Sequence, residues 1–309
     1  MKLVFCGTPQ FAVPSLKALE EAGCDVRLVV TQPDRPQGRG MEMAASPVKQ
    51  TAIALGLPIL QPDKIKNNEE FRRQLTELEP DAIVVVGYGR IVPPWMLELP
   101  PLGNINLHAS LLPKYRGAAP IQWSIAQGET VTGVTTMRID EGLDTGDILL
   151  QKQIQIHPED TAVTLAPRLA EPGAALLVET LRGLEKGSIH PVPQNNAQAT
   201  LAPILKKEDG QIDFRRTAVE IHNRLRGFQP WPGAYTIFRG KNLKVIAARP
   251  AGSVTLHAGE LEVRGEQLLL GCGGAALELL QVQPEGKKPM SAREFITGYR
   301  PGKRDLLPD

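Results

Sequence analysis

Cysteine is scarce in this chain of 309 residues: three stand far apart, Cys6, Cys24 and Cys272. There is no Cys-x-x-Cys pair and no neighbouring histidine, which argues against a disulfide framework and a zinc site and leaves small buried thiols in a reducing compartment. Long apolar runs are missing as well, since no stretch approaches the roughly 18 residues of a membrane span. The start, Met1-Lys-Leu-Val-Phe-Cys-Gly7, enters a strand pattern without the apolar core and small-residue cleavage site of a secretory leader. A cytoplasmic protein with no membrane partner is the expectation. After the first strand comes Gly7-Thr-Pro-Gln10 where a dinucleotide site needs Gly-x-Gly-x-x-Gly, and no Gly-x-x-x-x-Gly-Lys-Ser/Thr run occurs. Neither NAD nor a nucleoside triphosphate is indicated, and no metal is expected.

Net charge is also small, +1, but it is unevenly spread. Residues 1–199 hold 18 Lys/Arg and 22 Asp/Glu, whereas residues 200–250 hold ten basic and four acidic groups and residues 286–304 six and one. Local fields of this kind attract polyanions even when the total is near zero.

Length and composition suit two soluble domains. Residues 2–6 read as a buried strand, Ala12–Ala22 as a helix closed by Gly23, and Val26–Thr31 as a second strand, a βαβ opening. Helices around Pro47–Leu55 and Asn68–Leu78 and strands at Pro58–Leu60 and Ile83–Val86 repeat the alternation. The expected fold is α/β, a doubly wound, largely parallel Rossmann-like sheet. After a strand over Ile148–Ile156 comes an apolar-periodic stretch, Thr164–Leu184, in which Pro167 fits a first turn and Pro172 is expected to kink or split the helix. Pro191, Pro193 and Asn195-Asn196 then mark a linker. The expected organisation is a catalytic domain over 1–188, a linker over 189–205 and a small OB-like β-barrel over 206–309, with a helix at Thr217–Arg226 and short strands spaced by Gly and Pro. No long apolar stripe is left for a subunit interface, which points to a monomer.

Ile105 and Leu107 bracket Asn106 and His108, polar residues two apart on a buried strand and therefore on one face. Ligands bind beyond the carboxyl ends of strands in such sheets. The amide of Asn106 can donate to a carbonyl oxygen becoming an oxyanion, His108 can do the same or move a proton, and Asp144 in Gly142-Leu-Asp-Thr-Gly-Asp147 can fix the imidazole's protonation. With no obvious Ser or Cys nucleophile, direct acyl transfer is favoured over a covalent enzyme intermediate.

The run Asn106-Leu-His-Ala-Ser-Leu-Leu-Pro-Lys-Tyr-Arg-Gly-Ala-Ala-Pro120, answered by Gly142-Leu-Asp-Thr-Gly146, resembles the signature of the 10-formyltetrahydrofolate-dependent formyltransferases. The resemblance implies Asn106, His108 and Asp144 as catalytic residues. It also implies a folate pocket walled by the loop Val86, Gly87, Tyr88, Gly89, Arg90 and Ile91 and by the stretch carrying Asp140 and Gly142, flanked by Ser110, Leu111, Leu112 and Pro113. Glycines after a buried strand also expose backbone donors and acceptors to a flat heterocycle, though they can equally serve the turn.

The acceptor is read elsewhere. Thr31-Gln-Pro-Asp-Arg-Pro-Gln-Gly-Arg-Gly40, Lys206-Lys-Glu-Asp-Gly-Gln-Ile-Asp-Phe214, Arg224-Leu-Arg-Gly-Phe-Gln-Pro-Trp-Pro-Gly-Ala234 and Glu285-Gly-Lys-Lys-Pro-Met-Ser291 resemble the branch that formylates methionyl-tRNA. The resemblance implies initiator tRNA contacts at Arg35, Arg39, Lys206, Lys207, Lys287 and Lys288. Met41-Glu42-Met43 lowers the charge of the first loop, and Glu42 should repel phosphate. Trp95, Phe228 and Trp231 are read as packing aromatics. A hydrolase releasing formate from the same folate and a formyltransferase for an amino sugar or glycinamide nucleotide share the same three residues, but both leave the basic second half unexplained.

Overall fold

Ala82-Ile-Val-Val-Val86 is apolar at every position, the mark of a strand covered on both faces, and it lies in the middle of a seven-stranded sheet. The computed structural model describes residues 1–37, 42–252, 254–302 and 305–308. Two compact units emerge, Met1–Pro120 with Val131–Gln155 and Ala166–Pro203, and Ile121–Thr130 with Ile156–Leu165 and Ile204–Asp309.

In chain order the elements run β1 (Lys2–Gly7), α1 (Val13–Glu21), β2 (Asp25–Val30), the short pair β3 (Arg35–Gln37) and β4 (Glu42–Ala44), α2 (Pro47–Ala54), β5 (Ile59–Leu60), α3 (Glu69–Leu78), β6 (Ala82–Val86), α4 (Pro94–Leu97), β7 (Asn104–His108), α5 (Pro120–Ala126), β8 (Val131–Arg138), β9 (Ile148–Gln155) and α6 (Ala162–Glu185). The sheet order is β5-β2-β1-β6-β7-β8-β9. From β5 to β7 the neighbours are parallel, and β8 and β9 extend the sheet antiparallel. Phe71 and Leu75 of α3 and Met96 of α4 cover the face carrying Val4, Cys6, Ile83 and Val85. α6 covers the other face, where a Cβ on Gly173 would stand 3.0 Å from Leu107 and 3.4 Å from Val134. The Rossmann-like expectation is met.

Three details differ from the sequence reading. Strand β8 and the short helices α4 and α5 were not anticipated. Pro167 falls in the second turn of α6, and neither it nor Pro172 splits the helix, which runs unbroken for 24 residues. Each proline removes one ladder bond and crowds the preceding turn. That cost is outweighed by the buried face of Leu169, Ala170, Ala174, Leu177 and Leu181, because packing of an apolar stripe supplies most of a helix's stability.

The second unit contains α7 (Ala218–Gly227), β10 (Ala234–Phe238), β11 (Lys241–Pro250), β12 (Leu261–Arg264), β13 (Gln267–Cys272), β14 (Ala275–Pro284), β15 (Met290–Ser291) and α8 (Ala292–Tyr299). Both helices open on capping boxes, Thr217 with Glu220 and Ser291 with Glu294. The antiparallel sheet runs β10-β11-β14-β13-β12, with β15 added beside β14. Leu307 and Pro308 reach both edges of this sheet: Leu307 N–H donates to the carbonyl oxygen of Gly259, just before β12, at 2.9 Å, and Pro308 O accepts from Thr236 Oγ1 of β10 at 3.3 Å. Ile221 and Leu225 of α7 and Phe295 of α8 fill the core, with Phe238 edge-on to Phe295 at 5.2 Å.

Candidate functional site

Period-two alternation sends Asn106 and His108 of β7 to the same face. Asn106 lies opposite Val85 and Met137, and His108 opposite Thr135. His108 is buried and its Nε2 lies 2.9 Å from the carbonyl oxygen of Tyr115. A carbonyl only accepts, so Nε2 carries the hydrogen and donates it. Tyr115 is held at φ +60°, with its own N–H given to Thr200 Oγ1 at 2.9 Å. Nδ1 is then the nitrogen at which a proton can come and go. It faces Asp144 Oδ2 at 3.7 Å, longer than a formed hydrogen bond but in the range from which catalytic contacts tighten on binding.

Asp144 sits in the turn between β8 and β9 at φ +51°. Its Oδ2 accepts the Gly117 N–H at 2.8 Å. Gln194 Nε2 donates to the carbonyl oxygens of Asp144 and Gly146 at 2.9 and 2.7 Å. Within the turn, Asp140 Oδ1 accepts from Gly142 N–H at 3.1 Å and from Thr145 Oγ1 at 2.8 Å. A Cβ on Gly146 would overlap the backbone carbonyl oxygen of Arg138, and one on Gly142 would crowd the Thr145 hydroxyl that Asp140 holds, so the turn in this form requires glycine at 146 and favours it at 142. Asp140 and Gly142 thus shape the turn that presents Asp144.

The loop after β7 is stapled to β8 and β9 by one hydroxyl. Thr135 Oγ1 donates to Ser110 O at 2.6 Å, accepts from Leu112 N–H at 3.1 Å and also accepts from Gln151 Nε2 at 2.9 Å. Ser110 Oγ donates to Lys114 O at 2.6 Å. Ser110 and Leu112 are buried, and Leu111 lies over the Gly133 backbone. Leu111 and Pro113 are half-buried.

Beyond the carboxyl end of β6, Val86 and Tyr88 turn inward. Burial raises the Tyr88 phenol above its ordinary value, and its hydroxyl has no partner among the described residues. Gly87 and Gly89 take φ of +58° and +76°. Gln32 bridges the loop, with Nε2 donating to Tyr88 O at 3.0 Å and Oε1 accepting from Arg90 Nε at 3.2 Å. Arg90 Nη1 also donates to Asp63 O at 2.6 Å. Ile91 is 90 % exposed. Of these six residues the loop therefore offers outward the Ile91 side chain and the glycine-flanked backbone. Among the described residues no group of three His, Cys, Asp or Glu side chains could hold a metal ion.

The Formyl transferase family model matches residues 1–181, and its C-terminal domain model matches residues 204–300. A methionyl-tRNA formyltransferase of Koribacter versatilis is 70% identical over 99% of this chain and 98% of its own, and one of Acidobacterium capsulatum is 62% identical over 96% of each. The chain belongs to the methionyl-tRNA formyltransferase family. A sugar 3N-formyl transferase, WlaRD, crystallised with dTDP and 5-N-formyl-THF, shares the fold at a TM-score of 0.67 and 22% identity, over 93% of this chain and 99% of that one.

Within this formyltransferase the basic residues singled out in the sequence are exposed wherever they are described. Arg35 is exposed on β3, while Arg39 and Met41 lie outside the described residues. Lys206 and Lys207 are exposed at the entry to the second unit, and Lys287 and Lys288 are exposed in the turn between β14 and β15. Phe228 is buried and Trp95 packs beside Phe71, as expected of packing aromatics. Trp231 is not one of them: it is 55 % exposed in the turn after α7, because Phe228 already fills the interior there.

Sequence reasoning gave no role to Arg116, Gln194, Asn196 or Thr200. Arg116 is buried and its guanidinium donates to Gln194 Oε1 and Asn196 Oδ1. Residues 113–119 and 200–202 exchange backbone bonds, including Ala202 N–H to Arg116 O at 2.7 Å. Arg116 stands beside Lys114 and Tyr115 in the sequence, so no local pattern singles it out; its burial does, since a buried guanidinium requires acceptors.

Proposed function

We propose that this protein transfers the formyl group of 10-formyltetrahydrofolate to the α-amine of initiator methionyl-tRNA, as a cytoplasmic monomer. The observation that carries the reading is the placement of His108 Nδ1 against Asp144 Oδ2, with Asn106 on the same strand face. The donor supplies an electrophilic formyl carbon and a leaving nitrogen. Asn106 donates its amide N–H to the formyl oxygen as negative charge develops there, and His108, carrying a proton on Nδ1 as well as on Nε2, donates to the same oxygen. Asp144 orients the imidazole and takes the proton lost by the attacking amine. The new bond joins the amine nitrogen to the formyl carbon, the carbon–N10 bond breaks, and the proton that Asp144 took from the amine passes to N10, which leaves the carboxylate as it began.

The Val86–Ile91 loop, Ser110–Pro113 and the Asp140–Gly142 turn would wall the folate, with the backbone of Gly87 and Gly89 and the side chain of Ile91 as outward groups. Arg35, Arg39, Lys206, Lys207, Lys287 and Lys288 would hold tRNA phosphates and grooves. Asn106→Ala tests the assignment: turnover should fall about 10²–10³-fold with the KM for the folate nearly unchanged. Wild-type turnover in that variant would remove Asn106 from the chemistry.

A further inference from the structure

Asp144 is gripped at both ends by neighbours of a single buried side chain. Its carboxylate accepts the N–H of Gly117, and its carbonyl, with that of Gly146, accepts both hydrogens of the Gln194 amide. That amide cannot turn over. Its Oε1 is occupied by Arg116 Nε at 3.0 Å and Nη2 at 2.7 Å, and Nη2 is shared with Asn196 Oδ1 at 2.8 Å. A flipped amide would put N–H groups against a guanidinium and an oxygen against two carbonyls.

We infer that Gln194, oriented by Arg116, is a positioning residue that sets the backbone of Asp144 and so the approach of its carboxylate to His108. The inference rests on Asp144 acting as the proton acceptor. Physically, Asp144 occupies a left-handed conformation that a non-glycine residue keeps only where its surroundings over-determine it. Inside the turn, Asp140, Gly142 and Thr145 bind one another. The two Gln194 bonds tie Asp144 and Gly146 to the chain segment that also supports Tyr115, the acceptor of His108 Nε2–H. Both partners of the 3.7 Å approach are thus referenced to residues 194–202.

The experiment is a double-mutant cycle on the full-length protein, read as single-turnover formyl transfer with enzyme in excess. Gln194→Leu keeps the side chain's bulk without its hydrogen bonds, and should slow transfer about 10²-fold, the usual effect of misplacing a catalytic group by about 1 Å. Folate KM should stay within about threefold, and in an Asp144→Asn background the same substitution should change the residual rate by less than about threefold. An equal loss in both backgrounds, or an undiminished rate in Gln194→Leu, overturns the inference. Undiminished transfer in Asp144→Asn alone instead overturns the reading of Asp144. If Gln194→Leu does not fold, Gln194→Glu decides: it keeps an acceptor for Arg116 but faces the two carbonyls with an oxygen, and the same loss and the same non-additivity are expected.

Discussion

Alanine at Gly117 should disable the site as well as destabilise the fold. Gly117 has φ +122°, and a Cβ there would stand 2.6 Å from the carbonyl oxygen of Ala202, so one of the two must retreat by about 0.8 Å to reach ordinary contact at 3.4 Å. The Gly117 N–H now reaches Asp144 Oδ2 at 2.8 Å, and the same retreat would carry it to the limit of a hydrogen bond. Backbone strain of about 1–3 kcal/mol and crowding of about 1–3 kcal/mol should lower the thermal midpoint by several degrees. Loss of the aligned carboxylate should cost about 10²-fold in single-turnover formyl transfer. Gly187→Ala is the control, because Gly187 also has positive φ, +66°, but nothing lies within 4 Å of its Cβ position. It should lose about 1–2 kcal/mol and no activity. Gly117→Ala with wild-type turnover, or with a loss no larger than the control's, would refute the reasoning.

Four other outcomes are expected. Thr135→Val leaves the Leu112 N–H without its acceptor inside the protein, and should cost about 1–3 kcal/mol in denaturant unfolding while raising folate KM; an unchanged midpoint would show that water replaces the hydroxyl. Burial pushes the Cys272 thiol up to about 12 and also raises Cys6, so native alkylation at pH 8 followed by mass spectrometry should modify half-buried Cys24 first; early labelling of Cys6 or Cys272 would contradict the packing. Burial and then the Arg226 cation lower the His222 pKa, while Ala248 O and Glu159 oppose the shift. The unfolded chain therefore binds the proton first, so this contribution to stability is complete above the ordinary imidazole value of about 6.5 and is lost as pH falls below it. His222→Gln should flatten that part of the stability–pH profile, and an unaltered slope would assign it to other groups. Arg39→Ala should weaken tRNA use and reduce its salt dependence by about one phosphate contact without changing folate KM; an unchanged salt slope would make Arg39 an ordinary surface residue.

The alternation of short apolar strands with amphipathic helices was readable because both periods are local, and β1, α1, β2, α3 and β6 fall within a residue or two of where that pattern puts them. Asn106 and His108 stood out for a similar reason, two polar groups at strand spacing alternating with Ile105 and Leu107. The continuity of α6 was hidden because Pro172 is a local signal against a helix, whereas the compensation comes from a stripe packed on distant strands. Strand β8 was missed because its Thr132, Thr135 and Thr136 read as polar, yet all three are buried. The role of residues 194–202 was hidden for a third reason. Their composition is that of a linker, and only three-dimensional placement reveals that Gln194 and Thr200 complete bonds opened by Asp144 and Tyr115.

The most direct test supplies the full-length protein with 10-formyltetrahydrofolate and charged initiator methionyl-tRNA, and follows formylmethionyl-tRNA, tetrahydrofolate and formate together. Equal amounts of formylmethionyl-tRNA and tetrahydrofolate, with no free formate, are predicted. Formate release without transfer, or transfer to an amino sugar in preference to the charged tRNA, would contradict the account.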